Sequence, residues 1–192
     1  DNEKVLTSLS THAKLLGDGR GLARICTAMA APFSEINLRP ATPEDEVLYH
    51  RWANDPDVRN QSFKKDPITL SQHKAWFKAN LNLPTTLLRV LVDGNNHPLG
   101  QIRFELIRKE NEHALTSFSL DKVARGYGLG SELIRLGLAE LASEWGPQTI
   151  AYGEVYVDNI ECCKSFIRVG FSEGTSQRSG VRCFSRSAEA KA

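Results

Sequence analysis

The sequence has few cysteines and no long hydrophobic run, and these scarcities narrow the classes of protein that it can encode. Its four cysteines include an adjacent pair, Cys162 and Cys163, but no CxxC spacing, so neither a zinc site nor a disulfide framework is indicated. The uncharged apolar runs fall well short of the roughly 20 residues that a membrane-spanning helix requires, and the N-terminus has no signal-peptide pattern. We therefore predict a soluble, cytoplasmic protein with reduced thiols.

A large excess of either charge is also lacking. The formal net charge is +1, and the basic residues are spread along the chain, so nucleic acid is not an expected partner. The five histidines have no metal-ligand spacing such as HExxH, and we predict no metal site. What the chain does contain is 41% hydrophobic residues in a length of 192, which is sufficient for the core of one ordinary globular domain.

The chain changes character near Pro32. Before it, GDGRG at 17–21 separates two short helical patterns, and this segment is too short to form a core of its own. We predict that residues 1–33 are either a helical linker or the tail of an upstream domain, and we favour the tail because Asp1 is not a natural start. Residues 34–192 are expected to form a single domain.

From Ile36 onward, strand patterns and helix patterns alternate. Alternating and β-branched stretches predict strands over 36–42, 86–92, 98–107, 113–121 and 148–157, and two short strands within 171–186. Helical spacing and capping residues predict helices from Thr42 to Trp52, after Thr69, over 134–145, and from Asn159 to Val169 with Asp158 as the cap, while NDPDV at 54–58 breaks the first helix. This order indicates an α+β fold of layered type, with a mixed sheet and helices on both faces.

The stretch KVARGYGLGSELIRLG at 122–137 places Gly126, Gly128 and Gly130 at alternate positions between a strand and a helix. Glycines let the backbone approach a ligand closely and present successive N–H groups to it. The helix that follows adds its unpaired N-terminal amides and the positive end of its dipole. With Arg125 at the mouth, the turn is predicted to be an anion cradle for phosphate or pyrophosphate.

Two familiar nucleotide-binding motifs do not fit this turn. A dinucleotide fingerprint requires GxGxxG, but here the third glycine comes one position early. A P-loop requires GK followed by Ser or Thr, whereas Gly130 is followed by Ser131 and Glu132. A flexible turn without a ligand is the alternative to an anion cradle.

The segment RGYGLG at 125–130 resembles the acetyl-CoA signature of the GNAT acyltransferases, in which Arg or Gln is followed, after two residues, by Gly, any residue, and Gly or Ala. Arg125, Gly128 and Gly130 satisfy this pattern. The segment VDNIECCKSFIRVGF at 157–171 is similar to the Asn-containing helix of the family, which runs into Gly-Phe. The resemblance covers residues 36–186. It implies that 34–192 is an N-acetyltransferase domain with a GNAT-like, mostly antiparallel sheet of about seven strands.

The resemblance also implies where acetyl-CoA, the cosubstrate of the family, would bind. Pantetheine would lie in a V-shaped opening between the strands at 114–121 and 148–157, bonded to backbone near Phe118 and Leu120 and held in part by Asn159. The pyrophosphate would lie on the main chain of the cradle, which consists of Arg125, Gly126, Tyr127, Gly128, Leu129, Gly130 and Ser131. In this family, a neutral primary amine attacks the thioester carbonyl and expels the coenzyme thiolate.

The front half of the chain bears on the substrate. WANDPDVRNQSF at 52–63 followed by ITLSQHKAWF at 68–77 resembles the amino-sugar N-acetyltransferases of the pseudaminic acid pathway, which act on UDP-linked amino-dideoxy sugars. Ribosomal-protein N-terminal acetyltransferases share the tryptophan and the Asp-Pro turn, so peptide N-terminal acetylation is the alternative. LLGDGRGLARI at 15–25 is similar to the end of the nucleotide-sugar hydrolase of that pathway, which implies a fused hydrolase upstream.

Glu154 and His73 are the candidate catalytic residues. Glu154 lies on a strand lining the opening and matches a carboxylate of the amino-sugar branch, and the alternative is a solvent-facing strand residue. His73 matches the histidine of that branch, as a base or a sugar-binding group, and the alternative is a helix-surface histidine. Phe166 replaces the tyrosine that returns a proton to the thiolate in many members. Tyr156, Tyr127 or water would then serve, or the domain binds acetyl-CoA without turnover.

Four basic residues and one strand indicate further contacts. The side chains that have the chemistry to grip a substrate diphosphate are those of Arg51, Arg59, Lys64 and Lys65. For each of them, solvated surface charge is the alternative. The strand at 180–186 is expected at an edge of the sheet, where it would allow two subunits to pair in a homodimer.

Overall fold

The computed structural model describes residue 33, residues 35–108 and residues 113–188. The chain divides into two compact units, Asp1–Ser34 and Glu35–Ala192, and the strands and helices of the described residues all belong to the second. The two helical pieces expected within residues 1–30 lie outside the described residues. Among the helices that the structure describes, none is long and apolar enough to cross a membrane.

Seven strands form one sheet in the order β1-β2-β3-β4-β5-β7-β6. Their bounds are β1 Asn37–Pro40, β2 Thr86–Val92, β3 Pro98–Arg108, β4 His113–Leu120, β5 Ile150–Tyr156, β6 Ser172–Gly174 and β7 Val181–Ser187. Neighbouring strands are antiparallel except for β4 and β5, which run parallel. The mixed, mostly antiparallel sheet predicted from the sequence is confirmed.

The described part of the chain contains five α-helices beside the sheet: α1 Glu46–Ala53, α2 Pro56–Asn60, α3 Leu70–Asn80, α4 Leu129–Trp145 and α5 Ile160–Arg168. The predicted cap of α3 is present, because Thr69 Oγ1 accepts a hydrogen bond from the Gln72 backbone at 3.3 Å. NDPDV does end α1, but it also starts α2, since the Asp55 carboxylate accepts from the Asp57 backbone. The cap of α5 is Asn159 rather than the expected Asp158.

Helices cover both faces of the sheet, as predicted. On one face, α1 and α3 bury an aromatic cluster against β2, consisting of Tyr49, Trp52, Phe77, Leu88, Val90 and Val92. On the other face, α4 lies so close to β3 that a Cβ added to Gly137 would be 2.6 Å from Ile102 Cδ1. Side chains alternate between the faces of a strand, so both helical layers share the same strands as their core.

Phe166 of α5 lies at the centre of a second aromatic cluster and is 1% exposed. Its ring is stacked on that of Phe184 at 5.3 Å and makes edge contacts with Phe171 and Phe118. A Cβ on Gly153 would lie 2.6 Å from Phe166 Cζ, a distance that real Cβ atoms do not adopt, so β5 needs glycine there. The tip of this ring therefore lies directly against the backbone of β5.

The position of β7 corrects the prediction that the strand at 180–186 lies at an edge of the sheet. β7 pairs with β5 over its whole length and with β6 over three residues, Cys183–Ser185. The strand expected at an edge is therefore an interior strand, and the short β6 forms that edge of the sheet. Edge-to-edge pairing of two subunits through 180–186 has no support from this arrangement.

Candidate active site

The parallel strands β4 and β5 form a ladder at only one end. Their paired residues run from His113–Ile150 to Leu115–Tyr152, although β4 continues to Leu120 and β5 continues to Tyr156. In a parallel pair the ladder normally extends as far as the strands stay adjacent. The carboxyl ends of β4 and β5 thus form the opening that the sequence predicted between these two strands.

Main-chain groups of Phe118 and Leu120 face this opening. The Asp121 N–H donates to the Leu99 carbonyl of β3 at 2.8 Å. Because main-chain groups alternate in direction along a strand, those of Phe118 and Leu120 face away from β3, toward β5. The Leu120 carbonyl accepts a hydrogen bond from Arg125 Nε at 3.1 Å. The main-chain groups of Phe118 and Leu120 therefore lie on the side of β4 that faces β5.

The glycine turn that follows β4 has two residues with positive φ and open space beside its backbone. Gly126 and Gly128 adopt φ values of 84° and 77°, in the left-handed region that favours glycine. A Cβ at either position would meet no atom within 4 Å, so the space on that side of the backbone is open. Gly128 is the N-cap of α4, and the unpaired amides of the first turn begin directly after it.

Gly130 has a different role from the two preceding glycines. It is buried at the start of α4, where a Cβ would be 3.0 Å from Ser165 Oγ of α5. Leu129 is also buried, whereas Tyr127 is exposed. Ser131 Oγ is buried and has no hydrogen-bond partner among the described residues, and such a group normally has one. The first turn of α4 thus contains a hydroxyl whose hydrogen-bonding capacity is not used within the described residues.

Arg125 lies at the turn, but its charge has partners within the protein. Its guanidinium forms ion pairs with Asp57 Oδ2 at 2.8 Å and with Asp55 Oδ1 at 3.0 Å. Burial raises the pKa of Asp55, but hydrogen bonds from Arg125 and from the α2 backbone lower it by a larger amount, so the pKa lies below its usual value. The charge of Arg125, which was expected to be free at the mouth of the cradle, is therefore paired with carboxylates of α2 and its cap.

A further ion pair, between Arg51 and Asp121, connects the segment before the turn to α1. Asp121 Oδ2 accepts from Trp52 Nε1 and from Arg51, both at 2.8 Å. Burial raises the pKa of Asp121. The hydrogen bonds from Trp52 and Val123 and the charge of Arg51 have the larger combined effect and lower it. The contacts of Asp121 and Arg125 thus connect the start of the cradle to α1 and α2. Arg51, a candidate for gripping a diphosphate, already has a carboxylate partner in this pair.

Asn159 and Phe166 belong to the cap and the buried face of α5, the helix that follows β5. Asn159 Oδ1 caps α5 by accepting from the Cys162 backbone at 3.2 Å, which leaves the amide N–H groups of its side chain as the donors to consider for a pantetheine carbonyl. Phe166 contacts Phe118 across the base of the opening, with the ring centroids 5.7 Å apart.

Beyond the end of the β4–β5 ladder lies a group of six side chains that we term the acceptor-side cluster: Phe63, Lys65, Glu154, Tyr156, Ser176 and Arg178. They come from three segments, the α2–α3 loop, β5 and the β6–β7 loop. The rings of Phe63 and Tyr156 are 5.1 Å apart. Arg178 lies over Phe63 with its guanidinium carbon 4.6 Å from the ring centre, and Lys65 Nζ lies 5.8 Å from the centre of the Tyr156 ring.

Glu154 is the carboxylate of this cluster. It lies two residues beyond Tyr152, the last residue of β5 that pairs with β4, and its side chain is 18% exposed. Its oxygens accept from Ser176 Oγ at 3.4 Å and lie 3.8 Å from Arg178 Nε. Burial, together with Cys183 and Glu154, raises the pKa of Tyr152, so this phenol keeps its proton at neutral pH. The sequence identified Glu154 but missed Ser176 and Arg178, which no motif marks.

His73, the second catalytic candidate, is placed by the structure in the packing between α1 and α3. It is 3% exposed, and its Nε2 donates to the Glu46 carbonyl of α1 at 3.0 Å. Its ring stacks on Phe77 at 5.8 Å and contacts Trp76 and His50. Neither alternative drawn from the sequence, a surface histidine or a group facing the substrate, describes this environment. The geometry favours a packing role.

A stability measurement separates a packing role for His73 from a catalytic one. Burial, and to a smaller extent the charge of His50, lowers the pKa of His73 below 6.5. The unfolded chain then binds the proton more readily, so this contribution to stability is complete above about pH 6.5 and falls as the pH drops through the folded-state pKa. We expect the urea midpoint of wild type to fall more steeply than that of His73→Gln between about pH 7 and pH 5.

Turnover provides the control for this prediction. If His73 only packs, His73→Gln retains kcat per folded molecule within about threefold, because loss of general-base catalysis would cost at least about a hundredfold. A hundredfold loss in kcat with unchanged stability would restore His73 to a catalytic role.

Arg59 and Lys65, two further candidates for binding a substrate diphosphate, lie in different environments. Arg59 donates to the Lys64 carbonyl and to Ser62 Oγ, and thereby shapes the loop before α3. Lys65 belongs to the acceptor-side cluster. Within the described ranges, no group of three His, Cys, Asp or Glu side chains is arranged to hold a metal ion. The groups present are thus those of a main-chain anion cradle next to a carboxylate.

Known proteins share both the sequence pattern and the fold. The profile of the acetyltransferase (GNAT) domain family matches residues 35–172. Solved structures with the same fold include a spermidine N-acetyltransferase from Vibrio cholerae in complex with CoA and spermine, at 16% identity over 80% of this chain and 96% of that chain, with a TM-score of 0.72. A domain from Methanocaldococcus jannaschii has 18% identity over 80% of this chain and 99% of that chain, with a TM-score of 0.68.

A further structure with this fold is that of an aminoglycoside acetyltransferase in complex with ribostamycin and coenzyme A, at 16% identity over 80% of this chain and 94% of that chain, with a TM-score of 0.69. No curated protein matches the sequence significantly. The family match spans more than half of the chain, and it coincides with the divergent parallel strands and the glycine cradle of the structure. The chain belongs to the GNAT acetyltransferase family, and it is an N-acetyltransferase that uses acetyl-CoA.

Proposed function

We propose that the acceptor of this N-acetyltransferase is the amino group of a nucleotide-linked amino sugar, with a UDP-linked amino-dideoxy sugar as the specific candidate. The observation that carries the proposal is the composition of the acceptor-side cluster. It combines two aromatic rings, Phe63 and Tyr156, with two cations, Lys65 and Arg178, around one carboxylate, Glu154. Rings stack on bases and sugars, and an arginine binds phosphate oxygens in a bidentate manner.

Charge argues against a polyamine acceptor. The compounds bound in two of the compared structures are spermine and ribostamycin, both of which carry several amino groups. A polycation is bound best by a site with excess negative charge, whereas here two cations accompany one carboxylate. A nucleoside diphosphate has the opposite charge and complements this cluster.

For the cosubstrate, we propose the main-chain cradle from Arg125 to Ser131 as the diphosphate site. The open space over Gly126 and Gly128, the start of α4 and the unpartnered Ser131 Oγ support this assignment. The main chain of Phe118 and Leu120 and the amide of Asn159 would hold the pantetheine arm. Acetyl-CoA supplies the activated acetyl group, which is transferred to the amine, and the coenzyme departs as a thiol.

Glu154 is proposed as the general base. The acceptor amine must lose one proton as its nitrogen bonds to the thioester carbon, and the carboxylate accepts this proton directly or through one water. When the carbon–sulfur bond breaks, the leaving sulfur needs a proton that Phe166 cannot give. Water, or a phenol such as Tyr156 or Tyr127, would supply it.

A screen of thiol release from acetyl-CoA tests the acceptor class. The panel contains UDP-linked amino sugars, the matching free amino sugars, spermidine, an aminoglycoside and short peptides with free N-termini. We expect kcat/KM to be highest for a UDP-linked amino sugar. Preference for spermidine or the aminoglycoside would contradict the charge argument, and preference for a peptide would establish the alternative function of N-terminal acetylation.

A further inference from the structure

We propose that Arg178, on the β6–β7 loop, reads the negative charge of the acceptor, and that it moves from Glu154 to the acceptor phosphate when substrate binds. This inference rests on the proposed function, since it requires an acceptor that carries a phosphate. Arg178 thereby becomes a specificity-determining residue, and Glu154 becomes available to the amine only when an acceptor of the correct charge is present.

Arg178 is held in place by groups from three different segments. Its guanidinium lies 4.6 Å from the centre of the Phe63 ring, and its Nε lies 3.8 Å from Glu154 Oε2. Its backbone N–H donates to Ser176 Oγ at 3.1 Å, and that hydroxyl in turn contacts Glu154. The loop, the ring and the carboxylate together fix the position of a cation at the far side of the opening.

The contact with Glu154 is suited to exchange. A separation of 3.8 Å lies within ion-pair range but exceeds the 2.7–3.2 Å of a hydrogen bond. An arginine–phosphate pair forms two parallel hydrogen bonds and is stronger. The Arg178 side chain is 58% exposed, so phosphate oxygens can reach it without displacement of the protein core. Arg178 can therefore leave the carboxylate for a phosphate at little cost while it stays stacked on Phe63.

This exchange links recognition to chemistry. In the enzyme without acceptor, the Glu154 carboxylate faces Arg178 and Ser176. When Arg178 transfers to the phosphate, an oxygen of Glu154 loses its cation and can accept the proton of the amine. A polycationic amine offers no phosphate to draw Arg178 away, and its own charge is repelled by that of Arg178.

The test compares Arg178→Gln with Arg182→Gln. Arg182 is a matched control on the same hairpin, where its Nε donates to Glu173 Oε1 at 2.7 Å and not to Glu154. Two quantities are measured on the full chain: the affinity of the coenzyme A-saturated enzyme for UDP by calorimetry, and kcat/KM for a UDP-linked amino sugar and for the same sugar without the nucleotide.

We expect Arg178→Gln to weaken UDP binding by about ten- to a hundredfold and to raise KM for the nucleotide-linked acceptor by a similar factor, as for a lost charge-assisted hydrogen bond. Turnover of the free amino sugar should be unchanged or increased, because Glu154 is released. Arg178→Lys should restore part of the loss, and Arg182→Gln should behave as wild type. Equal losses on both acceptors, or unchanged UDP affinity, would overturn the inference.

The outcomes also separate this inference from the proposed function. Weakened UDP binding in Arg178→Gln, with no wild-type turnover of any UDP-linked amino sugar, would refute the acceptor assignment but keep Arg178 as an anion-binding residue. Turnover of that acceptor with full activity in Arg178→Gln would keep the function and refute the role of Arg178. If wild type neither binds UDP nor acetylates its derivatives, both are refuted.

Discussion

Replacement of Gly128 by valine is expected to weaken acetyl-CoA binding by at least about tenfold. Gly128 has a φ of 77°, and a left-handed conformation costs a residue with a Cβ roughly 1–2 kcal/mol, with a β-branched side chain at the unfavourable end. The valine would also project into the open space above the turn, where a Cβ meets no atom within 4 Å. Calorimetric titration with coenzyme A measures the effect.

The same helix provides a control for Gly128→Val. Gly146 ends α4 with a φ of 94°, and a Cβ there would likewise meet no atom within 4 Å. Gly146→Val therefore imposes at least as much backbone strain at the opposite end of α4, because its φ of 94° and ψ of 153° lie in a region that essentially only glycine adopts. It should lower thermal stability without changing the affinity for coenzyme A. Equal affinities in both variants would show that the cradle does not hold the diphosphate.

Replacement of Glu154 by glutamine is expected to lower kcat by about 10²- to 10⁴-fold, the range for loss of a general base. Glutamine keeps the shape of the side chain and can still accept the hydrogen bond from Ser176, but it cannot take a proton from the amine. Because Glu154 belongs to the acceptor-side cluster and not to the glycine turn, the affinity for acetyl-CoA should be nearly unchanged.

Glu173→Gln is the matched control for this variant. Glu173 lies on β6, which β7 separates from β5, and it is exposed and pairs with Arg182, so its loss should leave kcat unaffected. Steady-state rates across a range of pH, together with the coenzyme affinity of each variant, test whether Glu154 is the general base. Full activity of Glu154→Gln at every pH would remove Glu154 from the role of base.

The order of strands and helices could be predicted because each element carries its own local signal. Thr69 caps α3 as its position before a helical pattern indicated, and Gly126 and Gly128 adopt the positive φ values for which glycine is suited. The resemblance of the glycine signature and the Asn-containing helix to the GNAT family also implied the cosubstrate, and the family match agrees with it. Short-range geometry of this kind is encoded by neighbouring residues.

Other features depend on pairs of residues far apart in the sequence. Nothing near Arg125 indicates that Asp55 and Asp57 take its charge, and nothing near His73 distinguishes a buried ring from an exposed one. The edge position expected for 180–186 was wrong because β7 pairs with β5 on one side and with β6 on the other, and the pattern within a strand does not specify its neighbours in the sheet. These outcomes follow from which segments pack together, and local periodicity does not specify that.

The sequence by itself determined the elements, their order and the conformation of the glycine turn, because capping, glycine conformation and hydrophobic period act over a few residues. The tertiary structure alone decided which side chains meet beyond the opening, where Phe63, Glu154 and Arg178 come together from three distant segments. Their contacts form only when the α2–α3 loop and the β6–β7 hairpin close over the end of β5. The physical reason is that charge and ring contacts fall off within a few ångströms, so they report proximity in space and not in the chain.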